Sequence, residues 1–324
     1  MQDFSLRIHT LLLLYNICTH QTKPVPLRPK YNYPMHTTKK RILITGTSGF
    51  VGSRAVQALS EKHELITPSH DRCDITSAEV IEQYVSRHRP HIILHLAAIS
   101  NTGYCEENPE ESYLVNVKGV ENVAMAAEKY GAKLVFFSSD QVYNGNHESG
   151  LLTEDIPVEP ENHYGRHKLL AEQRAQQLCP NSVALRATWM YDSRHENMHT
   201  HNNFIINIKE AIRQHTPIHL ATREYRGITW IGEIIQNLPY TFELPGGVYN
   251  FGAENRLNTY DTALAYLDIL QYPTRDIIVA DHNRFPTHIR NISISIKKAI
   301  EQSDGRIQFS DTIEGFKLFE QHNR

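Results

Sequence analysis

The stretch Arg41-Ile42-Leu43-Ile44-Thr45-Gly46-Thr47-Ser48-Gly49-Phe50-Val51-Gly52 decides how this chain is read. Arg41–Thr45 is a short, apolar, β-branched run, which predicts a strand buried on both faces. It ends in a glycine turn, and beyond it Val51, Ala55 and Leu59 recur with helical spacing. A strand that passes through three spaced glycines into a helix is a phosphate cradle. Gly46 permits the tight turn, Gly49 keeps a side chain out of the path of a pyrophosphate, and Gly52 lets helix and strand pack closely. Ser48, Phe50 and Val51 complete the loop, whose free N–H groups lie at the positive end of the helix dipole. The competing reading is a glycine turn with no ligand. The strand–turn–helix setting favours a dinucleotide.

Outward from this loop, strands and helices alternate. Glu64–Thr67 reads as a strand closed by Pro68, Ala78–Arg87 as a helix, and His91–Ala98 as a buried strand. Pro109–Tyr130 reads as one long helix ended by Gly131. Leu134–Ser138 is the next strand, Tyr164–Leu178 a helix, and Ser182–Arg186 a strand. The alternation predicts an α/β fold, a doubly wound parallel sheet with right-handed crossovers. After Tyr191 the elements shorten: helices at Asn203–His215, Tyr260–Leu270 and Ile292–Glu301, and strands at Ile218–Leu220, Tyr249–Phe251 and Asp276–Val279. The expected division is a flexible extension over 1–38, a dinucleotide-binding domain over 39–191, and a smaller substrate lobe over 192–324 that partly returns to the sheet.

Composition narrows the classes. With 324 residues, 40% hydrophobic content and a net charge of -3, the chain can bury a sizeable core and has no polyanion-binding character. Its four cysteines (Cys18, Cys73, Cys105, Cys179) form no CxxC pair, which argues against zinc and disulfides and fits a reducing cytosol. A cytoplasmic location is therefore expected. His195, His199 and His201 are the one tight histidine group; no cysteine or ordered carboxylate pattern accompanies them, and no metal is expected. The apolar run Leu11–Leu14 is far short of the about 20 residues that span a bilayer. The N-terminal region reads as an extension in which Met35 is a second candidate start, against the alternative of a cleaved targeting segment.

Asp74, in Arg72-Cys73-Asp74-Ile75, is placed to accept from an adenine amino group; capping the helix that follows is its alternative role. The stretch Thr67-Pro68-Ser69-His70 lacks the acid that would hold a ribose hydroxyl pair, and His70 and Arg72 suit a 2′-phosphate, so the cofactor is NADP(H) or NAD(H), leaning to the former. In Tyr164-Gly165-Arg166-His167-Lys168, tyrosine and lysine stand four apart on one helix face. The Lys168 ammonium would favour the Tyr164 phenolate and hold the nicotinamide ribose. Tyr164 would exchange a proton with a substrate oxygen that Ser139, at the end of its strand, shares.

These motifs carry a resemblance. From about Lys40 to Tyr191 the chain resembles an extended short-chain dehydrogenase/reductase of the NAD-dependent epimerase/dehydratase superfamily, and is most similar to the dTDP-4-dehydrorhamnose reductase family. Thr45–Gly52, Cys73-Asp74-Ile75, His95-Leu96-Ala97-Ala98, Glu106–Asn116, Ser138–Tyr143, Tyr164–Lys168 and Arg186–Tyr191 carry it. It fades later, where Phe285-Pro286-Thr287 and Arg290 remain but Glu224–Gly232 departs from the family's Gly-x-Pro-Thr segment. The resemblance implies that Ala97, Ala98, Ile99 and Asn116 join Asp74 and Ile75 in lining the cofactor. It places Ser139, Asp140, Gln141, Trp189 and Arg290 at the sugar; packing against the sheet is the alternative for Trp189. Related dehydratases carry Thr-Asp-Glu where this chain has Ser139-Asp140-Gln141, and an amide cannot take a proton as a carboxylate does.

The expected activity is NAD(P)H-dependent reduction of a 4-keto-6-deoxy nucleotide sugar. A nucleotide-sugar epimerase is the second reading. A non-catalytic, NADP-binding regulatory subunit of the methionine adenosyltransferase type is the third. The expected partners are a nucleotide-sugar substrate and a second copy in a homodimer, with no nucleic acid and no membrane.

Overall fold

The computed structural model describes residues 38–194 and 198–323; all but the last residue of the expected 1–38 extension, and His195, lie outside them. Strand β1 is Arg41–Thr45, followed across the glycine turn by helix α1, Phe50–Leu59. β2 is Glu64–Ile66, one residue shorter than expected. α2, Ala78–His88, begins on a Ser77 cap and stops where Arg89 turns left-handed (φ 44°) ahead of Pro90. β3 is Ile92–His95.

The next segment corrects an expectation. The single helix predicted over 109–130 is α4, Pro109–Tyr113, then a π-turn at Leu114–Lys118, then α5, Gly119–Tyr130; a short α3, Thr102–Glu107, precedes them. Asn116 is buried in the π-turn, and a π-turn inside a helix commonly marks a functional position. Gly119 then lets α5 close onto Ile75, whose Cδ1 would lie 2.7 Å from any Cβ there. β4, Lys133–Ser139, runs on into a 3₁₀ turn, Asp140–Tyr143. α6, His163–Leu178, starts on an Asn162 cap, and β5 is Val183–Ala187.

Beyond β5 come β6 (Trp189–Tyr191), α7 (Phe204–Gln214), β7 (Ile218–Ala221), β8 (Glu224–Arg226), β9 (Ile228–Trp230) and α8 (Ile231–Thr241). Then follow β10 (Gly247–Phe251), α9 (Thr259–Ile269), β11 (Ile278–Asp281), β12 (Arg290–Ile292), α10 (Lys297–Gln302) and α11 (Thr312–His322). The helix predicted over Ile292–Glu301 is corrected: it opens with strand β12, and helix begins only at Lys297. Ile292, Ile294 and Ile296 alternate into one small core, a period of two rather than 3.6.

The main sheet has six parallel strands in the order β10-β5-β4-β3-β1-β2. Its strand residues divide by parity. Ile42, Ile44, Ile92, Leu94 and Val135 face one core, and Leu43, Ile93, Leu134 and Phe136 face the other. Both faces are covered by helices, as an all-parallel sheet requires. Three two-stranded parallel ribbons, β6–β9, β7–β11 and β8–β12, make up the smaller C-terminal part.

Candidate active site

The sheet order reverses at β1 and β3, which lie side by side with β2 and β4 outside them, and α/β proteins bind ligands at the carboxyl ends of such strands. Gly46 stands there with φ +71°, and a Cβ on it would lie 2.5 Å from the Ala97 nitrogen just past β3. A Cβ on Gly52 would meet the Gly46 carbonyl at 2.1 Å. These two glycines are required by the protein's own packing. Gly49 is not: its φ of -74° suits any residue, and a Cβ there would meet only the Gly46 oxygen, at 3.3 Å. As the N-cap of α1 it lends no side-chain acceptor, and the first turn carries no acid, so the helix N-terminus is kept for an outside anion. The cradle therefore fits a dinucleotide pyrophosphate. Ser48 is exposed at its rim, while Val51 is half-buried. The Phe50 ring turns inward, under the Arg54 guanidinium at 4.3 Å and edge-on to His201 at 4.7 Å. Arg54 in turn forms a buried ion pair with Asp192 at 2.7 Å.

Asp74 Oδ1 accepts from the Thr76 backbone and hydroxyl at 2.9 and 2.8 Å. The helix cap is Ser77, so the alternative role given to Asp74 is corrected: it makes an Asx-turn one step earlier. Ile75 is buried, and its carbonyl accepts from Asn122 at 3.0 Å. His70 and Arg72 are exposed, and the acid missing from Thr67–His70 follows at once as Asp71, whose carboxylate bonds the Ser69 side chain. Asn116 clamps the loop after β3: its Oδ1 accepts from the Ile99 N–H at 2.9 Å and its Nδ2 donates to the Ile99 carbonyl at 2.8 Å. With its amide spent on the Ile99 backbone and on the Ser112 hydroxyl at 3.3 Å, Asn116 anchors the loop at Ile99. His95 is buried, bonded to the Thr45 hydroxyl at 2.8 Å, and held neutral by burial and by Lys168, with a pKa lowered to about 3.

Ser139, Tyr164 and Lys168 come together where β4 ends and α6 begins. Asn162 fixes the start of α6 by accepting from the Gly165 N–H at 2.7 Å, which sets Tyr164 and Lys168 on its buried face. Ser139 Oγ accepts from the Gln141 N–H and donates to Asp140 Oδ1, each at 3.2 Å. Lys168 Nζ donates to the Phe137 carbonyl at 2.8 Å and lies 5.7 Å from the centre of the Tyr164 ring. The Tyr164 pKa is pushed up by burial rather than down by an ammonium, with Ser139 alone opposing the rise. Burial lowers the Lys168 pKa to about 8, against smaller raising effects of Cys105 and Glu172. Both side chains are dry, and dehydration favours their neutral forms.

A cavity of about 670 Å³ opens beside this group, walled by Gln141, Trp189, Glu224, Arg226, Phe285 and Arg290 among others. Arg226 Nη2 donates to Asp140 Oδ2 at 3.1 Å, and its guanidinium lies 4.8 Å over the Trp189 ring. Arg290 pairs with Glu224 and donates to Gln141 Oε1 at 2.8 Å. Asp140 is fully buried, and burial raises its pKa against the pull of Arg226 and Arg290. Trp189 thus has a place at the cavity as well as against Phe204. Sequence reasoning missed Glu224 and Arg226. Their signal was a pair of opposite charges two apart in a strand-like segment, which puts both on one face.

Among the described residues, no group of three or more His, Cys, Asp or Glu side chains is arranged to hold a metal, and no helix is long and apolar enough to cross a membrane. The comparisons with known proteins agree with this architecture. The family model for the RmlD substrate binding domain matches residues 40–298. A dTDP-4-dehydrorhamnose reductase from Aggregatibacter actinomycetemcomitans is 26% identical over 70% of this chain and 78% of that protein. The crystal structure of dTDP-4-dehydrorhamnose reductase from Yersinia enterocolitica superposes with a TM-score of 0.77 at 25% identity, covering 88% of this chain and 100% of that one. The Bacillus anthracis enzyme in complex with NADP gives 0.76 at 22% identity, over 88% and 99% of the two chains. The glycine cradle, the Ser139–Tyr164–Lys168 group and this match together establish that the chain belongs to the RmlD family, NAD(P)-dependent oxidoreductases of the extended short-chain dehydrogenase/reductase type.

Proposed function

We propose that the protein reduces the keto group of a 4-keto-6-deoxy nucleotide sugar, with NADPH or NADH as the reductant. The observation that carries this reading is the cluster of Ser139, Tyr164 and Lys168, joined through Gln141 and Asn162 to the wall of a roomy polar cavity, in a chain whose glycine cradle fits a pyrophosphate. Residues 46–52 would hold the pyrophosphate, Asp74 and Ile75 would flank the adenine, and the Asn116-clamped loop Ala97–Ile99 would line the nicotinamide side. When bound, the nicotinamide supplies hydride to the sugar carbon.

The chain's own residues do the rest. Tyr164 is a neutral phenol at neutral pH and can give its proton to the keto oxygen. Burial raises its pKa and so opposes that transfer, which the neighbouring ammonium must offset. Ser139 turns its hydroxyl from Asp140 to the same oxygen. Lys168, charged below about pH 8, offsets the negative charge left on Tyr164. Trp189, Arg226 and Arg290 offer a flat face and guanidinium donors to the nucleotide sugar. Gln141 supplies no carboxylate base, which disfavours elimination of water. The names of the Aggregatibacter, Yersinia and Bacillus relatives support the same substrate class.

The test is turnover of a 4-keto-6-deoxy nucleotide sugar by the purified protein, followed by loss of NAD(P)H absorbance and by product analysis. Stoichiometric consumption is expected. Interconversion of sugars with no net cofactor loss would replace the reductase reading with an epimerase. Binding of NADPH without turnover of any nucleotide sugar would point to a regulatory role.

A further inference from the structure

His167 immediately precedes Lys168 on α6 and is buried. Its Nδ1 lies 2.8 Å from the Ser112 hydroxyl oxygen of α4. That oxygen accepts from Asn116 Nδ2 at 3.3 Å. Asn116, in the π-turn, holds Ile99 by both backbone groups, donating to its carbonyl and accepting from its N–H. A flipped Asn116 amide would aim its N–H₂ at the Ile99 N–H, so the network fixes its orientation, and both amide hydrogens and the oxygen are in use. An unbroken chain of bonds thus runs from the helix that carries Tyr164 and Lys168, through the buried side chains of Ser112 and Asn116, to the loop after β3. The helix end of the chain is itself fixed. Asn162 caps α6, Glu106 of α3 accepts from the His163 N–H, and the His167 ring lies edge-on to Tyr113 at 5.8 Å. Burial, then the neighbouring His163, lower the His167 pKa against the pull of Glu106, so no buried charge is set against Ser112 at neutral pH.

We propose that His167 is a positioning residue for the cofactor, which through Ser112 and Asn116 holds Ile99 and so sets the nicotinamide-side loop against the helix of Tyr164 and Lys168. This rests on the NAD(P)H reading above and deepens it, by naming what keeps hydride donor and proton donor in register. The two must meet at the adjacent carbon and oxygen of one carbonyl, one side governed by the loop after β3 and the other by α6. Small misplacements of reacting groups are costly in such an arrangement. Without the His167 ring nitrogen, Ser112 loses the partner that holds its hydroxyl toward α6. Asn116 then keeps Ile99 but is no longer braced from the helix. The other side-chain contact at the Ile99 carbonyl is the Cys105 thiol at 3.6 Å, a weak donor.

The test measures two affinities on the full chain by calorimetry. One is for NADPH or NADH, whichever the wild-type chain binds more tightly; the other is for the same dinucleotide lacking the nicotinamide, 2′-phospho-ADP-ribose or ADP-ribose. The readout is their ratio, in which a general loss of stability or of adenine-side binding cancels. His167→Leu removes the ring nitrogen, and Ser112→Ala breaks the same chain one bond further on, so either variant carries the test if the other fails to fold. The ratio is expected to fall about fivefold in each, the size of one buried hydrogen bond. The double variant should be no worse than the poorer single, because both changes cut one chain. His167→Asn, which keeps a polar atom near the place of Nδ1, should stay within about twofold of wild type. A loss in His167→Asn equal to that in His167→Leu would mean that ring packing and not the bond acts, and would overturn the assignment. An unchanged ratio in folded His167→Leu or Ser112→Ala protein would overturn it too. Failure of the wild-type chain to bind either dinucleotide would instead overturn the NAD(P)H reading, and this proposal with it.

Discussion

Arg226 donates to Asp140 at 3.1 Å and so ties strand β8 to the turn that carries the reactive Ser139. The carboxylate is buried and burial already raises its pKa. Removing one partner of a buried pair costs up to about 3–5 kcal/mol, and here less, because Arg290 and the Ser139 hydroxyl still act on the carboxylate. Arg226→Met should therefore lower the urea midpoint. The double variant Arg226→Met/Asp140→Asn should lose less than the sum of the two single changes, by roughly 0.5–3 kcal/mol. The sign of the pH effect follows. Without Arg226, Arg290 is the remaining cation acting on Asp140, and the folded pKa rises further above the unfolded value. Stability is then regained as pH falls through that raised pKa, because the folded chain takes up the proton first. Equal destabilisation at acid and neutral pH would count against this account.

The glycine cradle gives a contrast between neighbours. Gly46→Ala sets a Cβ 2.5 Å from backbone at a φ of +71°, so the fold itself should suffer. Gly49→Val meets little within the protein, yet puts a side chain where a pyrophosphate would lie. It should melt close to wild type while losing NADP(H) binding in a fluorescence titration. Wild-type NADP(H) affinity in a folded Gly49→Val protein would refute the cradle.

Much of this was legible in the sequence, because the signals were local. Arg41–Thr45 and its glycines, and Tyr164 with Lys168 four residues on, need only a strand, a turn and a helix to acquire their positions. The parts that were not legible depend on distant partners. Glu224 and Arg226 become site residues only because β8 pairs with β12, which brings Arg290 opposite Glu224. The π-turn at Leu114–Lys118 breaks no hydrophobic periodicity; its correlate is the bond from Asn116 to Ile99, 17 residues back. The alternation of Ile292, Ile294 and Ile296 was present in the sequence, but a run flanked by Lys297 and Lys298 reads equally well as the start of a helix. The damping of Tyr164 and Lys168 by burial could not be read from their spacing, since it depends on how dry the site is.

Behind the reactive group, Arg186 in β5 makes a buried ion pair with Glu172 in α6 at 2.7 Å and donates to the Tyr143 hydroxyl at 2.8 Å. Arg186→Met leaves Glu172 buried and unpaired, so a loss of about 3–5 kcal/mol is expected in chemical denaturation. Glu172 is one turn from Lys168 on the same helix, so turnover should fall as well. A change below about 1 kcal/mol, the value of an exposed pair, would show that water reaches this site.

Lys168 predicts opposite responses of activity and stability to alkali. Burial lowers its pKa to about 8, from an ordinary value of 10.5. Reduction needs the ammonium, so kcat/KM should decline as pH rises through about 8. Stability should move the other way, because between the folded and unfolded pKa the unfolded chain binds the extra proton. Lys168→Met should show neither the alkaline decline nor the alkaline gain, at much reduced turnover. A wild-type profile that stays level across this window would remove Lys168 as the titrating group.

Tyr164 is the sharpest test of the chemistry. Its hydroxyl is buried beside Ser139, its pKa is raised by that burial, and its ring packs at the head of α6. Tyr164→Phe keeps the ring and removes only the hydroxyl, so folding and NADP(H) binding should survive. Turnover should fall by roughly 10²–10⁴-fold, the usual size of a general acid–base contribution. Ser139→Ala should cost turnover too, and the pair should not add, because both hydroxyls act on one oxygen. The comparison must be made with a keto sugar nucleotide and reduced cofactor at a pH below about 8, where Lys168 is charged. Near-normal turnover in a folded Tyr164→Phe protein would mean that the proton comes from another group. The buried Asp140 at the Ser139 hydroxyl would then be the first residue to substitute, since it is the next acid along the same hydrogen-bonded chain.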